Sequence, residues 1–129
     1  MKGVIPTMLR QVLKSKIHRA IVTEADLNYQ GSLTLGSALM DAADLLPYEF
    51  VHITNINNGT HWVTYALRDS NTDTTVCMNG TAARHFHPGD PVIILAYAHL
   101  DNNDLASHQP RLIYVDESNH IVRQENGEH

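Results

Sequence analysis

The sequence contains one cysteine, Cys77, among 129 residues, and it has no long hydrophobic run. A single cysteine cannot form a disulfide within the chain, so we expect a reducing, cytoplasmic environment. The longest apolar stretch, residues 92–98, falls far short of the roughly 20 residues that cross a bilayer, and residues 1–7 lack the apolar core of a secretory signal. The formal net charge of −5 disfavours general nucleic-acid binding. We therefore expect neither a membrane nor a nucleic acid as partner.

The length and the 43% hydrophobic content favour one globular domain over residues 1–129, with a core that needs no disulfide or metal. Residues 1–7 are interpreted as a short extension of the fold. Five of the nine basic residues lie within the first 19 positions. Strand alternation places Lys14, Lys16 and His18 on one face, and that face suits either a small anion or solvent.

Short β-rich segments separated by turn residues dominate the chain. Strands are predicted at residues 11–23, 32–35, 50–56, 61–67, 74–78, 91–97, 111–115 and 120–123. Residues 91–97 are continuously apolar and predict a strand buried on both faces, whereas residues 24–30 predict a polar connection. Ser37 is the expected N-cap of one helix that extends to about residue 45, and residues 100–108 predict a loop or a second short helix. Six to eight strands without βαβ alternation indicate a mostly-β barrel with one or two short helices.

The dipeptide Gly31-Ser32 has the chemistry for self-cleavage. The serine hydroxyl can attack the Gly31 carbonyl, which converts the peptide bond to an ester, and β-elimination then cuts the chain. Glycine suits this step because it lacks Cβ and leaves its carbonyl accessible. The dehydroalanine that remains would hydrolyse to a pyruvoyl group at the new N-terminus. Gly-Ser is equally an ordinary turn dipeptide, so this pair alone leaves both interpretations open.

Further motifs make the first interpretation specific, and they occur in one order: KSKIHR at 14–19, VTEADLNY at 22–29, GS at 31–32, DAA at 41–43, NG at 58–59, TYA at 64–66, NGTAA at 79–83 and GD at 89–90. Together they resemble the pyruvoyl-dependent aspartate 1-decarboxylases over about residues 8 to 115. The resemblance implies a double-psi β-barrel and a homotetramer with sites between subunits. It also implies cleavage of the zymogen into a small chain, 1–31, and a large chain, 32–129.

The activity that the resemblance implies is decarboxylation of L-aspartate to β-alanine and CO2 for pantothenate biosynthesis. The implied cofactor is a covalent pyruvoyl group formed from Ser32, which holds the substrate as a Schiff base, with no metal and no pyridoxal phosphate. A small, aspartate-like amino acid is the expected substrate. A maturation factor remains open as a further partner.

The resemblance also assigns roles to individual residues. Tyr65 would donate the proton, a reasonable task for a phenol, and Thr64 would assist self-processing near the Gly31 carbonyl. Strand alternation puts Thr64 and Tyr65 on opposite faces unless a bulge intervenes. The substrate-binding set would comprise Lys16, His61, Thr64, the Asn79 amide and the backbone N–H groups of Thr81, Ala82 and Ala83, with His18 and Tyr29 as secondary members.

Two departures affect substrate recognition. Thr60 and His61 stand where the family usually has Lys-Arg, and Thr54 stands where it often has tryptophan. Arginine is always charged and binds a carboxylate bidentately, whereas histidine is only partly charged near neutral pH. We therefore expect weakened or pH-sensitive binding of aspartate.

Three alternatives remain open from the sequence. One is a pyruvoyl enzyme for another small amino acid, and a second is an uncleaved barrel with a binding or regulatory role. The third is a metalloprotein that uses His85 and His87, with Cys77 and His99 as further ligands.

Overall fold

Nine β-strands and two short α-helices make up most of the residues that the computed structural model describes, 7–127. The predicted N-terminal extension lies, except for Thr7, outside the described residues. The strands and helices are β1 (Arg10–Ile21), β2 (Glu24–Asp26), β3 (Ser32–Gly36), α1 (Ser37–Ala42), β4 (Phe50–Asn55), β5 (His61–Asp69), β6 (Val76–Asn79), β7 (Pro91–Leu100), α2 (Asn102–Leu105), β8 (Arg111–Val115) and β9 (Ile121–Asn126), with a 3-10 helix at Gly80–Arg84.

The strands form one sheet in the order β2-β6-β3-β5-β4-β7-β1-β8-β9. Three of its pairs, β1 with β8, β2 with β6 and β3 with β5, are parallel, and the other neighbours are antiparallel. The mostly-β barrel class with two short helices is therefore confirmed. The strand number exceeds the expected six to eight because residues 24–26, predicted as a connection, pair with β6.

The core is lined by alternate residues of the strands. Leu33 and Leu35 of β3 and Val76 and Met78 of β6 are all fully buried, and Leu39 of α1 packs against the same cluster. Successive side chains of a strand alternate between its two faces, so the residues between these core positions point away from the core. That second face carries the polar residues described below.

Two local predictions were wrong. The helix starts at Ser37 itself, with Gly36 as N-cap, because the Ser37 hydroxyl donates to the Asp69 carbonyl instead of capping. It ends at Ala42, and Asp44 adopts a positive φ of 55° two residues later. The strand β7 is fully buried on one face only: Val92, Ile94 and Ala96 are buried, but the residues between them are partly exposed.

Candidate active site

Four polar side chains meet where β3 and β6 pair, and we call them the polar quartet: Ser32, Thr34, Cys77 and Asn79. Ser32 lies opposite Asn79, and Thr34 lies opposite Cys77, in the antiparallel register. Directly opposite residues share a face of the sheet. The quartet therefore occupies the face of β3 and β6 that the core leucines do not use.

Hydrogen bonds connect the quartet into one network. Asn79 Nδ2 donates to Ser32 Oγ and to Thr34 Oγ1, both at 3.0 Å. The Ser32 hydroxyl donates to the Gln30 carbonyl oxygen at 3.1 Å, and the Cys77 thiol donates to Asn79 Oδ1 at 3.2 Å. Ser32 is only 1% exposed and Asn79 4%. Ser32, the residue predicted to cleave the chain, is thus buried and hydrogen-bonded to both Gln30 and Asn79.

Burial and charge keep the thiol of this network protonated. Desolvation of Cys77, followed by the nearby carboxylates of Glu24, Asp26 and Asp69, raises its pKa to about 11. A thiol with this pKa carries its hydrogen at neutral pH. Cys77 therefore acts in the network as a hydrogen-bond donor and not as a thiolate.

The residue before Ser32 lies against the turn that follows β6. Gly31 is exposed, and Gly80 has a positive φ of 76°. A Cβ on Gly80 would stand 2.7 Å from Gly31 Cα and 3.4 Å from the Tyr29 carbonyl oxygen. Only a residue without a side chain permits this approach. The Tyr29 side chain itself is exposed at 53%, so this close approach involves its backbone.

The small-residue segment after Asn79 forms the 3-10 helix and not an open loop. Ala82 is buried and its carbonyl accepts bonds from the backbone N–H groups of His85 and Phe86 at 2.9 and 3.1 Å. Thr81 is exposed and Ala83 is half-buried. Asn79 precedes this helix in an extended conformation and makes no side-chain cap, because its amide is engaged in the quartet.

Tyr65 lies beside Ser32 in the sheet. β3 and β5 are parallel with Leu33 opposite Ala66, so Ser32 and Tyr65 stand one position earlier on the two strands. The β4–β5 register shows no bulge between His61 and Tyr65, so Thr64 faces away from Tyr65, as predicted. The Tyr65 ring is 6.3 Å from that of Tyr48, centroid to centroid.

Two rows of side chains cross β1, β7, β4 and β5 on the face opposite the core. One row reads Lys16, Leu95, His52, Val63, and the other reads His18, Ile93, Thr54, His61. We call Lys16, His18, His52 and His61 the histidine face. It brings the three predicted residues Lys16, His18 and His61 onto one side of the sheet, together with His52, which sequence analysis did not consider.

His61 is engaged through both of its ring nitrogens. Its Nε2 lies 3.1 Å from His52 Nδ1, and its Nδ1 lies 3.3 Å from Thr54 Oγ1. The His52 ring also meets Tyr97 edge-on at 5.0 Å between centroids. His18 makes a similar edge contact with Tyr114 at 5.8 Å. The two positions that depart from the family, His61 and Thr54, therefore contact each other.

The histidine face and the polar quartet are well separated within one chain. Lys16 on β1 and Ser32 on β3 are four strand steps apart in the sheet order, on the order of 19 Å along the sheet. His61 and Tyr65 are four residues apart on β5, about 13 Å at the rise of a strand. Both path lengths along the sheet are greater than the length of a small amino acid.

The four residues considered for a metal site do not come together. Cys77 is buried within the quartet, whereas His85 and His99 are exposed and His87 lies 3.7 Å from a carboxylate oxygen of Asp90. Over residues 7–127, no group of three or more histidine, cysteine or acidic side chains has a spacing suited to a metal ion.

The sequence alone did not connect three residues of this region with Ser32, namely Thr34, Cys77 and Gly80. Thr34 and Cys77 each lie two positions from a predicted site residue on the same strand, so strand alternation was the available signal. Gly80 belonged to a recognised motif, but its contact with Gly31 joins segments about 50 residues apart and leaves no local signature.

The family comparison and the comparison with individual proteins agree with each other. The family model described as "Aspartate decarboxylase" matches residues 8–122. Aspartate 1-decarboxylase of Dehalococcoides mccartyi is 49% identical over 116 residues, covering 90% of this chain and 94% of the relative. The enzymes of the same name from Thermoanaerobacter pseudethanolicus and Caldicellulosiruptor saccharolyticus are 50% and 49% identical, covering 89% and 94% of this chain and 98% and 94% of theirs. Neither helix within residues 7–127 is long and apolar enough to span a bilayer.

Proposed function

Since the chain belongs to the aspartate decarboxylase family, we propose that it is a self-processing carboxy-lyase that converts L-aspartate to β-alanine and CO2. The chain cleaves between Gly31 and Ser32, and Ser32 becomes a covalent pyruvoyl group. The observation that carries this proposal is the buried Ser32 hydroxyl, which is held by Asn79 while the Gly31 before it stays exposed.

Cleavage uses only atoms of this chain and water. Ser32 Oγ attacks the Gly31 carbonyl carbon through a five-membered ring, and the amide nitrogen leaves as the ester forms. The short covalent tether makes the attack intramolecular and therefore entropically cheap. Removal of the Ser32 α-hydrogen then expels the Gly31 carboxylate, and hydrolysis of the dehydroalanine releases ammonia.

The residues around Ser32 suit the group that this cleavage leaves. A pyruvoyl ketone supplies a carbonyl that can accept the electrons released when a carboxylate departs as CO2. The Asn79 amide already points at the Ser32 side chain, so after cleavage it is in position to donate to the substrate or to the new carbonyl. Tyr65, adjacent to Ser32 in the sheet, is the proton donor in this scheme.

The separation of the two polar groups supports a site shared between copies of the chain. The paths along the sheet from Lys16 and His61 to Ser32 of the same chain are longer than an aspartate molecule, so in this scheme a second copy would supply them. Leu46, Tyr48 and Phe50 near Tyr65 are 67%, 73% and 71% exposed, and an exposed apolar patch of this kind suits a subunit interface. We propose the homotetramer of the family as the assembly and the cytoplasm as its location.

Recognition of the substrate carboxylate falls in this scheme to Lys16 and His61, with His18 and Tyr29 at the margin. The backbone N–H groups of Thr81, Ala82 and Ala83 would bind the second carboxylate, and Thr64, whose side chain faces away from Tyr65, would assist processing in a neighbouring copy of the chain. The replacement of arginine by His61 favours, as a second candidate function, decarboxylation of another small amino acid. A panel of amino acids assayed for CO2 release separates the two substrates.

Intact-mass measurement of the purified chain before and after prolonged warming tests the proposal. We expect two chains, 1–31 and 32–129, with the larger one blocked by the pyruvoyl group. Ser32→Ala should give one uncleaved chain without decarboxylase activity. A wild-type chain that stays whole, with or without a maturation factor, would instead indicate a binding or regulatory barrel.

A further inference from the structure

We propose that Cys77 is a positioning residue for the Ser32 nucleophile: its thiol fixes the orientation of the Asn79 amide, and the amide holds the Ser32 hydroxyl. This inference rests on the proposed self-cleavage and extends it to a residue with no chemistry of its own. The three groups form one buried chain of hydrogen bonds, from Cys77 Sγ to Asn79 Oδ1 at 3.2 Å and from Asn79 Nδ2 to Ser32 Oγ at 3.0 Å.

The amide of Asn79 has two nearly equivalent orientations. An asparagine side chain can be reversed end for end with little change of shape, which exchanges its oxygen and its NH2 group. The hydroxyls of Ser32 and Thr34 can donate or accept, so they do not by themselves select one orientation. The partner of the other end of the amide makes that selection.

Cys77 is that partner. Its S–H group needs an acceptor and finds Asn79 Oδ1, which turns both N–H groups toward Ser32 and Thr34. In the reversed orientation the NH2 group would face a sulfur, which is a weak acceptor, within a buried site. The thiol retains its hydrogen at neutral pH, because burial and three carboxylates raise its pKa to about 11.

The orientation of the amide decides the state of the nucleophile. While Nδ2 donates to Ser32 Oγ, the hydroxyl hydrogen must point elsewhere, and it is donated to the Gln30 carbonyl. An N–H group aimed at Oγ also stabilises the negative charge that this oxygen gains as it loses its proton. A reversed amide would accept from the hydroxyl and oppose that loss.

The test compares two substitutions that differ in one hydroxyl group. Cys77→Ser keeps a donor, whereas Cys77→Ala removes it with little change in volume. We expect cleavage, followed by intact mass, to be about tenfold slower in Cys77→Ala, the effect of losing one hydrogen bond. The rate of Cys77→Ser should lie between those of wild type and Cys77→Ala, because its hydroxyl can donate to Asn79 Oδ1 but can also accept. The Tm values of the two variants should be alike. Equal rates for the two variants, or a wild-type rate for a folded Cys77→Ala, would overturn the proposal.

A second measurement does not depend on cleavage. The side-chain amide resonances of Asn79 in ¹⁵N-labelled, uncleaved protein should change less in Cys77→Ser than in Cys77→Ala, where they should move strongly or double. Identical spectra for all three proteins would also overturn the proposal. If wild type never cleaves, the proposed function fails, but the amide spectra still decide the role of Cys77. If Cys77→Ala does not fold, Cys77→Val, which is apolar and larger than alanine, takes its place.

Discussion

Gly80 packs so closely against Gly31 that a Cβ on Gly80 would stand 2.7 Å from Gly31 Cα and 2.9 Å from its nitrogen. The contact is between two backbones, so neither side can yield by rotating a side chain. It connects the turn after Asn79 directly to the proposed cleavage position. This contact fixes the distance between the segment that contains Ser32 and the segment that contains Asn79, its hydrogen-bond donor.

The Gly80→Ala substitution should therefore reduce the cleavage rate by more than its loss of stability explains. The new methyl group must push Gly31 or the 3-10 helix away, which separates Asn79 from Ser32. Gly59→Ala is the matched control, since Gly59 has a nearly equal φ of 75° but a Cβ there would meet no atom within 4 Å. We expect a larger loss of Tm for Gly80→Ala than for Gly59→Ala, since both share the cost of a positive φ but only Gly80→Ala adds a backbone clash, and a cleavage rate at least about tenfold lower only for Gly80→Ala. Equal cleavage rates would show that the contact is irrelevant to processing.

Tyr65→Phe should separate cleavage from decarboxylation. Loss of the phenolic proton removes the proposed acid, which contributes about 10²-fold or more in comparable enzymes, so kcat should fall while intact mass still shows two chains. Tyr48→Phe removes the hydroxyl of the neighbouring ring, 6.3 Å away, and serves as the control. Full activity in Tyr65→Phe would exclude it as the proton donor.

The sequence predicted those parts of the fold that depend on local chemistry. The strands predicted at residues 50–56 and 61–67 lie on either side of Asn58-Gly59, where Gly59 adopts the positive φ that such a pair permits. The helix boundary at Ser37 was missed because the serine hydroxyl binds Asp69, a residue more than 30 positions away. The one-sided burial of β7 was missed because Ile93 and Leu95 are apolar and yet partly exposed on the histidine face.

The candidate site, like the fold, was predicted only in part. Ser32, Tyr65 and Asn79 were identified by resemblance to a family, and the register of β3, β5 and β6 then shows which of them are neighbours. Neither the contact of Gly80 with Gly31 nor that of His52 with His61 could be predicted, because each depends on the pairing of separate segments. Such contacts depend on which distant segments pair, and the local sequence does not indicate that pairing.

Asp90 predicts a pH dependence of stability that is independent of catalysis. Burial alone would raise the pKa of Asp90, but a bond from the His87 backbone N–H and bonds from the Asn55 and Asn57 amides lower it below its ordinary value of 3.8. A carboxyl whose pKa is lower in the folded state stabilises the protein above its unfolded pKa, and this contribution is lost as the pH falls through the folded value. Urea denaturation should show a loss of stability below about pH 4 that is smaller in Asp90→Asn. Glu117→Gln, an exposed carboxyl, is the control and should follow wild type.

The contact between His52 and His61 predicts how substrate affinity depends on pH. Two ring nitrogens 3.1 Å apart share one hydrogen, so the pair holds at most one positive charge while this bond persists. Lys16 in the neighbouring row, His18 in the same row as His61 and Tyr97 against His52 are further titratable groups on this face. A carboxylate bound here needs that one charge, and histidine is the side chain whose charge is ordinarily sensitive to pH near neutrality.

The KM for aspartate should accordingly rise as the pH is raised through neutrality in wild type, while kcat changes little. His61→Arg should lower KM and remove its pH dependence, because arginine stays charged. His52→Gln keeps a hydrogen-bonding partner for His61 but cannot share the charge, so it should alter the pH dependence without abolishing binding. Cleavage should be unaffected in both variants, since neither residue contacts the quartet through the hydrogen bonds described above. A KM that is independent of pH in wild type and unchanged in His61→Arg would remove the histidine face from substrate recognition, and would leave the second copy of the chain without a demonstrated role in the site.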